Sequence, residues 1–103
     1  MYHILAIMTK FGVEKTTLDI LKELAQKHKV IRKQAGLTQS ALAERSGVSL
    51  GSIKRFENTG RISLESLVQS AQILNRMGDF DLILNINKNM KDIDKLFSDR
   101  TRI

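Results

Sequence analysis

Two short stretches, Gly36-Leu37-Thr38 and Gly47-Val48-Ser49, constrain this chain more than anything else in it. In each, a glycine able to take positive φ ends one helix, an apolar residue plugs the turn, and a hydroxyl side chain caps the next helix. Between them there is room for one short helix, about Gln39 to Ser46, with Leu42 and Ala43 turned inward. Ser49 then caps a third helix that runs to about Phe56 or Glu57, with Ile53 and Phe56 on its buried side. The chain therefore reverses sharply at Gly47, and two short helices meet at a tight corner.

Longer helices flank this pair. Upstream, Ile20, Leu21, Leu24, His28, Ile31 and Ala35 recur at helical spacing, and Thr16 with Asp19 forms a capping-box signal. Downstream, Asn58-Thr59-Gly60-Arg61 is turn chemistry. Ser63 caps a fourth helix with Glu65 near its positive end and Leu64, Leu67, Val68, Ala71 and Leu74 as its buried stripe. The tail is ambiguous. Leu82, Leu84 and Ile86 alternate as a strand would, whereas Phe80, Ile83, Leu84, Met90, Ile93 and Phe97 follow helical spacing. The helical reading gives a short fifth helix near 79–85 and a further one near 89–97. The expected division is an N-terminal segment, 1–15, expected to be partly disordered, an all-α domain, 16–85, and a C-terminal extension, 86–103, whose last residues are expected to fray.

Composition removes whole classes of function. With 103 residues, 42% of them hydrophobic, the chain suits one domain. It has no Cys and only His3 and His28, which excludes disulfides and thiolate zinc sites and leaves little for a nucleophile–base pair. His28 reads as a satisfied, partly buried histidine. Asp79, Asp81, Asp92 and Asp94 read as helix starts and solvated faces rather than a catalytic carboxylate pair. No metal, cofactor or enzymatic activity is expected. No apolar run reaches membrane-spanning length, and Met1–Lys10 lacks the basic flank and cleavage site of a signal peptide; Met8 is a second candidate start.

The charge is informative by its location. The net +6 lies entirely between Lys27 and Arg61, where eight cations face Glu44 and Glu57. Such concentration points to a polyanion. Two short helices at a tight turn inside a basic block are what a DNA reader needs, the second helix lying in the major groove. There, Arg55 can grip guanine O6 and N7 with two donors, while the flexible Lys54 suits phosphate. Leu50 can offer only apolar contact, such as to a thymine methyl, unless it packs back on the domain. Gly51 cannot read a base edge; it either lets the helix approach the duplex closely or is a compromise at the helix start without a role.

The stretch Gly36–Gly60 resembles the helix-turn-helix of the lambda-repressor-like, Cro/C1 or XRE, family. The shared positions are Gly36, Leu37, Thr38, Gln39, Leu42, Ala43, Gly47, Val48, Ser49, Ile53 and Glu57, within a similarity covering about residues 20–75. The resemblance implies a five-helix, lambda-repressor-like DNA-binding domain in a bacterial, cytoplasmic, nucleoid-associated repressor. It implies that Gln39 touches a phosphate, that Ser49, Leu50 and Gly51 reach base edges, that Ser52 is a backbone or mixed contact, and that Arg55 reads a base. It also implies that Arg32 and Glu57 tie the first helix to the end of the third, the alternative being an ordinary surface ion pair. Phe80, Leu82, Ile83, Leu84 and Ile86, an apolar set too large to leave in water, are expected to form the contact of a dimer on a palindromic operator or a contact with a partner protein. A narrower similarity, carried by Ser49–Ile53, Arg55–Glu57 and Ile62–Leu67, is to HipB-type antitoxins. These accompany a HipA-like kinase toxin and sometimes a third, accessory protein, and their role can be chiefly to neutralise the toxin.

Overall fold

The computed structural model describes residues 14–86 and 96–97, and within them the chain is helical with no strand. Four α-helices follow in order, α1 (Thr17–Gln34), α2 (Gln39–Ser46), α3 (Leu50–Thr59) and α4 (Leu64–Ile73), and a 3-10 helix, Met77–Leu82, makes the fifth element. The architecture is the all-α, lambda-repressor-like one expected from the sequence.

Each helix starts where a side chain can satisfy an unpaired amide. Asp19 N–H donates to Thr16 Oγ1 at 3.1 Å and Thr16 N–H donates to Asp19 Oδ2 at 3.0 Å, a complete capping box. Thr38, Ser49 and Ser63 accept from the amides of Ala41, Ser52 and Ser66. Each such cap is worth about 1 kcal/mol relative to alanine. The helix α3 continues to Thr59, beyond the Phe56 or Glu57 expected from sequence. Its last turn is held by the Thr59 hydroxyl, which donates to Arg55 O at 2.7 Å, and Gly60 closes it with φ +83°. Gly60 has a second constraint, because a Cβ there would lie 2.7 Å from the Leu21 backbone, so α1 and the end of α3 touch main chain to main chain.

The core centres on the turn. Leu42, Val48, Ile53 and Leu74 form one buried cluster, with Ile31, Leu37 and Ala43 packed against it. The helix α1 packs on α3, and α2 packs on both α3 and α4. The buried side of α1 differs from the apolar pattern in the sequence. Ala25, His28 and Arg32 are buried, whereas Ile20 and Leu24 are exposed. Polar groups on α1 are drawn inward because α3 presents a carboxylate to them. Leu64, expected in the stripe of α4, is exposed, while Ala71 and Leu74 are buried. It holds the first position of α4, and a side chain there leans toward the N-terminus, past the end of the packed helix.

The tail also departs from expectation. The helix anticipated near 79–85 is a 3-10 helix that begins at Met77 and ends at Leu82. Gly78, Asp79 and Asp81 favour turns over α-helix, and 3-10 geometry suits such short runs. Ile83 is then extended, and Leu84 takes φ +53°. Of the helix expected near 89–97, Leu96 and Phe97 are helical and exposed, and the remainder lies outside the described residues, as do residues 1–13.

Candidate nucleic-acid interface

The sequence of α3 dictates two faces. Ile53 and Phe56 are buried; Gly51, Lys54 and Arg55 are exposed, and Leu50 and Ser52 are half-buried. Ser49, at the N-cap, is exposed, and its hydroxyl is occupied twice. It accepts the Ser52 amide at 3.1 Å and donates to Ser52 Oγ at 2.8 Å. The Ser52 hydroxyl hydrogen therefore points away from the cap and is available to an outside acceptor. Among the described residues, Lys54 and Arg55 form no ion pair. Lys33, Arg45 and Arg61 are also exposed. Two members of the basic block are spoken for: Lys27 pairs with Glu23 at 3.2 Å, and Arg32 is buried.

The burial of Arg32 reveals what holds α3 in place. Glu57, whose side chain is only 3% exposed, receives four hydrogen bonds. Arg32 donates from Nε to Oε2 at 2.9 Å and from Nη2 to Oε1 at 2.8 Å, a planar fork. His28 Nδ1 approaches Oε2 at 2.7 Å, and Gln39 Nε2 donates to Oε1 at 3.0 Å. The third Arg32 nitrogen, Nη1, donates to Leu37 O at 2.9 Å and so pins the α1–α2 turn. One carboxylate at the end of α3 thus locks α1, the α1–α2 turn and the start of α2. Burial pushes the Glu57 carboxyl up, but the bonds from Arg32, Gln39 and His28 together outweigh it and hold its pKa below the ordinary value.

His28 extends the lock to α4. A carboxylate only accepts, so His28 must carry a hydrogen on Nδ1. Its Nε2 lies 3.1 Å from Ser70 Oγ, and that oxygen lies 2.9 Å from Leu67 O. Burial pushes the imidazole down more than Glu57 pulls it up, which favours the neutral ring. Ser70 Oγ donates its one hydrogen to Leu67 O, so a neutral His28 accepts it at Nε2 only by drawing it away from that carbonyl. Phe56 packs edge-on against the ring, centroids 5.0 Å apart.

The ion pair anticipated between Arg32 and Glu57 is therefore present and buried, not a surface contact. Gln39 sits at the start of α2 with one amide hydrogen committed to Glu57 and the other without a partner among the described residues. Residues of the expected apolar contact set are mostly uncovered. Leu82, Ile83, Leu84 and Ile86 are exposed, Leu84 at 92%, and Phe80 is half-buried. Sequence reasoning missed the inclusion of His28 and Ser70 in the lock. Their signal was there, since Ser70 stands three and four residues from Leu67 and Leu74 in an otherwise apolar stripe.

Among the described residues, no helix is long and apolar enough to cross a membrane. No curated protein matched the chain. Residues 29–76 match the family model described as Helix-turn-helix, a span from the middle of α1 to just past α4. Over those 48 of 103 residues the chain is similar to the helix-turn-helix of DNA-binding transcriptional regulators.

Proposed function

We propose that this protein is a sequence-specific repressor that binds a palindromic operator as a homodimer, with α3 in the major groove. The observation that carries this is the division of α3. One face is buried and locked through Glu57, and the other offers Gly51, Lys54 and Arg55 with no competing partner among the described residues. In this reading Arg55 supplies bidentate readout and Leu50 apolar contact, while Lys54, Gln39 and Ser52 hold phosphates. Ser49 contributes chiefly as the cap, because its hydroxyl is already engaged. The half-sites would lie about one helical turn, roughly 34–36 Å, apart.

The dimer reading is supported by the tail. Leu82, Ile83, Leu84 and Ile86 stand in water next to one another in sequence, and Leu84 adopts left-handed backbone that costs a leucine energy. A second copy would cover them. The further reading, an antitoxin for a HipA-like kinase, is supported by the sequence similarity alone. A HipA-like reading frame beside this gene, with co-purification of its product, would establish it; an unrelated neighbour that fails to co-purify would leave a stand-alone regulator.

DNA binding is tested by selecting a site from random duplexes and titrating it at rising salt. Binding should weaken steeply, because each phosphate contact releases a counterion. A flat salt response would overturn the reading.

A further inference from the structure

Gly51 has no explanation inside the protein. Gly36, Gly47 and Gly60 take positive φ, and Gly60 also has Leu21 against it. Gly51 does neither: its backbone is helical, it lies in the first turn of α3, and a Cβ built there meets nothing within 4 Å. Glycine in an exposed helix is less stable than alanine, because it gives up more backbone freedom. The fold pays for a vacancy it does not need.

What the vacancy adjoins is Arg55. Residues four apart on a helix are surface neighbours, and helical side chains lean back over the preceding turn. Nothing lies within 4 Å of a Cβ built at 51, the Arg55 side chain included, so the space over position 51 stands open to Arg55 when it turns back along the helix. Among the described residues the Arg55 guanidinium has no ion pair to hold it elsewhere. We propose that Gly51 is a positioning residue for recognition: its missing side chain is the space in which Arg55 lies flat along α3 to meet a base edge. A long side chain at 51 would fill that space and lift the guanidinium off that path while improving the helix. The inference rests on the DNA-binding reading above and adds a specificity role to a position that has no atoms with which to read.

The test uses the full chain and a site selected by the wild type from random duplexes. Arg55→Ala first identifies the base pair at which discrimination is lost. Gly51→Ala and Gly51→Leu should each melt a few degrees higher than the wild type. Gly51→Leu should lose about tenfold of discrimination at that same base pair, with the salt slope unchanged. Added to Arg55→Ala, it should change that ratio no further, because it acts through Arg55. Full discrimination by Gly51→Leu, an equal loss with and without Arg55, or a lower melting point would each overturn the proposal. A wild type that selects no site would instead remove the DNA-binding reading, and this inference with it.

Discussion

Replacing Glu57 by glutamine keeps the shape of the side chain and removes its charge, so it isolates what the carboxylate does. The carboxylate offers two oxygens, and each accepts two hydrogen bonds. Glutamine offers one oxygen and one amide. If the amide replaces Oε1, it faces Arg32 Nη2 and Gln39 Nε2; Gln39 is half-buried and can turn out to water, but Arg32 cannot. If it replaces Oε2, it faces Arg32 Nε and His28 Nδ1. His28 can then shift its hydrogen to Nε2, donate to Ser70, and accept at Nδ1. Both orientations converge on one result: Arg32, whose side chain is 7% exposed, is left one donor short with its charge unneutralised.

Breaking a buried pair from one side costs about 3–5 kcal/mol. The two relief routes, through Gln39 and His28, place Glu57→Gln near the lower limit, about 3 kcal/mol. In a domain of this size that corresponds to a fall in Tm of about 12–24 °C. Urea denaturation at neutral pH measures the loss directly. Arg32→Met should cost a similar amount, and the double substitution should cost less than the two together, since neither charge remains to be desolvated. A loss below about 1 kcal/mol for Glu57→Gln would refute the reasoning, because the pair would then be worth no more than one on the surface.

Acidification should destabilise the domain in two stages. His28 is held below its ordinary value of 6.5, so its contribution is full above that pH and fades as pH falls from there toward the folded value; Glu57, held below 4.5, contributes above that pH and is lost as pH falls through its own folded value. Denaturation midpoints across pH should show both limbs, and His28→Gln should flatten the upper one. Gly60→Ala should destabilise more than Gly36→Ala, since both incur left-handed strain of about 1 kcal/mol but only the first drives a Cβ into the Leu21 backbone; thermal melts compare them. Arg55→Ala should cost about 1–3 kcal/mol of operator binding and relax one base position, and an equal loss on every sequence would make Arg55 a phosphate contact. Leu84→Asp should shift a dimer toward monomer in sedimentation, with the melting of each domain little changed, because Leu84 is 92% exposed.

How much of this was legible in the sequence follows from the range of each signal. Caps and glycines act over three or four residues, so Thr16, Thr38, Gly47, Ser49 and Ser63 located four helices, and α2 matched to the residue. The buried side of α1 was less legible. Periodicity assumes that apolar residues are buried, and here Glu57, 25 residues downstream, draws Arg32 inward in place of Ile20 and Leu24. No local pattern carries that preference. It is a pairwise term between distant residues, and only the family resemblance supplied the Arg32–Glu57 half of it. The inward place of His28 and Ser70 was visible in their apolar stripes, but their pairing needed the fold itself, because they meet across α1 and α4.

The same distinction bears on how the interface is built. Residues that face outward, such as Lys54 and Arg55, can vary without cost to the fold, since they have no described internal partner. Glu57 cannot, because α1, the α1–α2 turn and the start of α2 all bond to it, directly or through Arg32. The angle of α3 and the placement of Gln39 are therefore set by one group, and its loss would disturb phosphate and base contacts together. An Arg55 substitution should change the sequence preference at constant stability, whereas a Glu57 substitution should lower affinity on every sequence and stability with it. A Glu57→Gln protein that melts low but keeps full operator affinity at a temperature where it remains folded would separate the two, and would show that α3 finds its angle from the buried Ile53 and Phe56 alone.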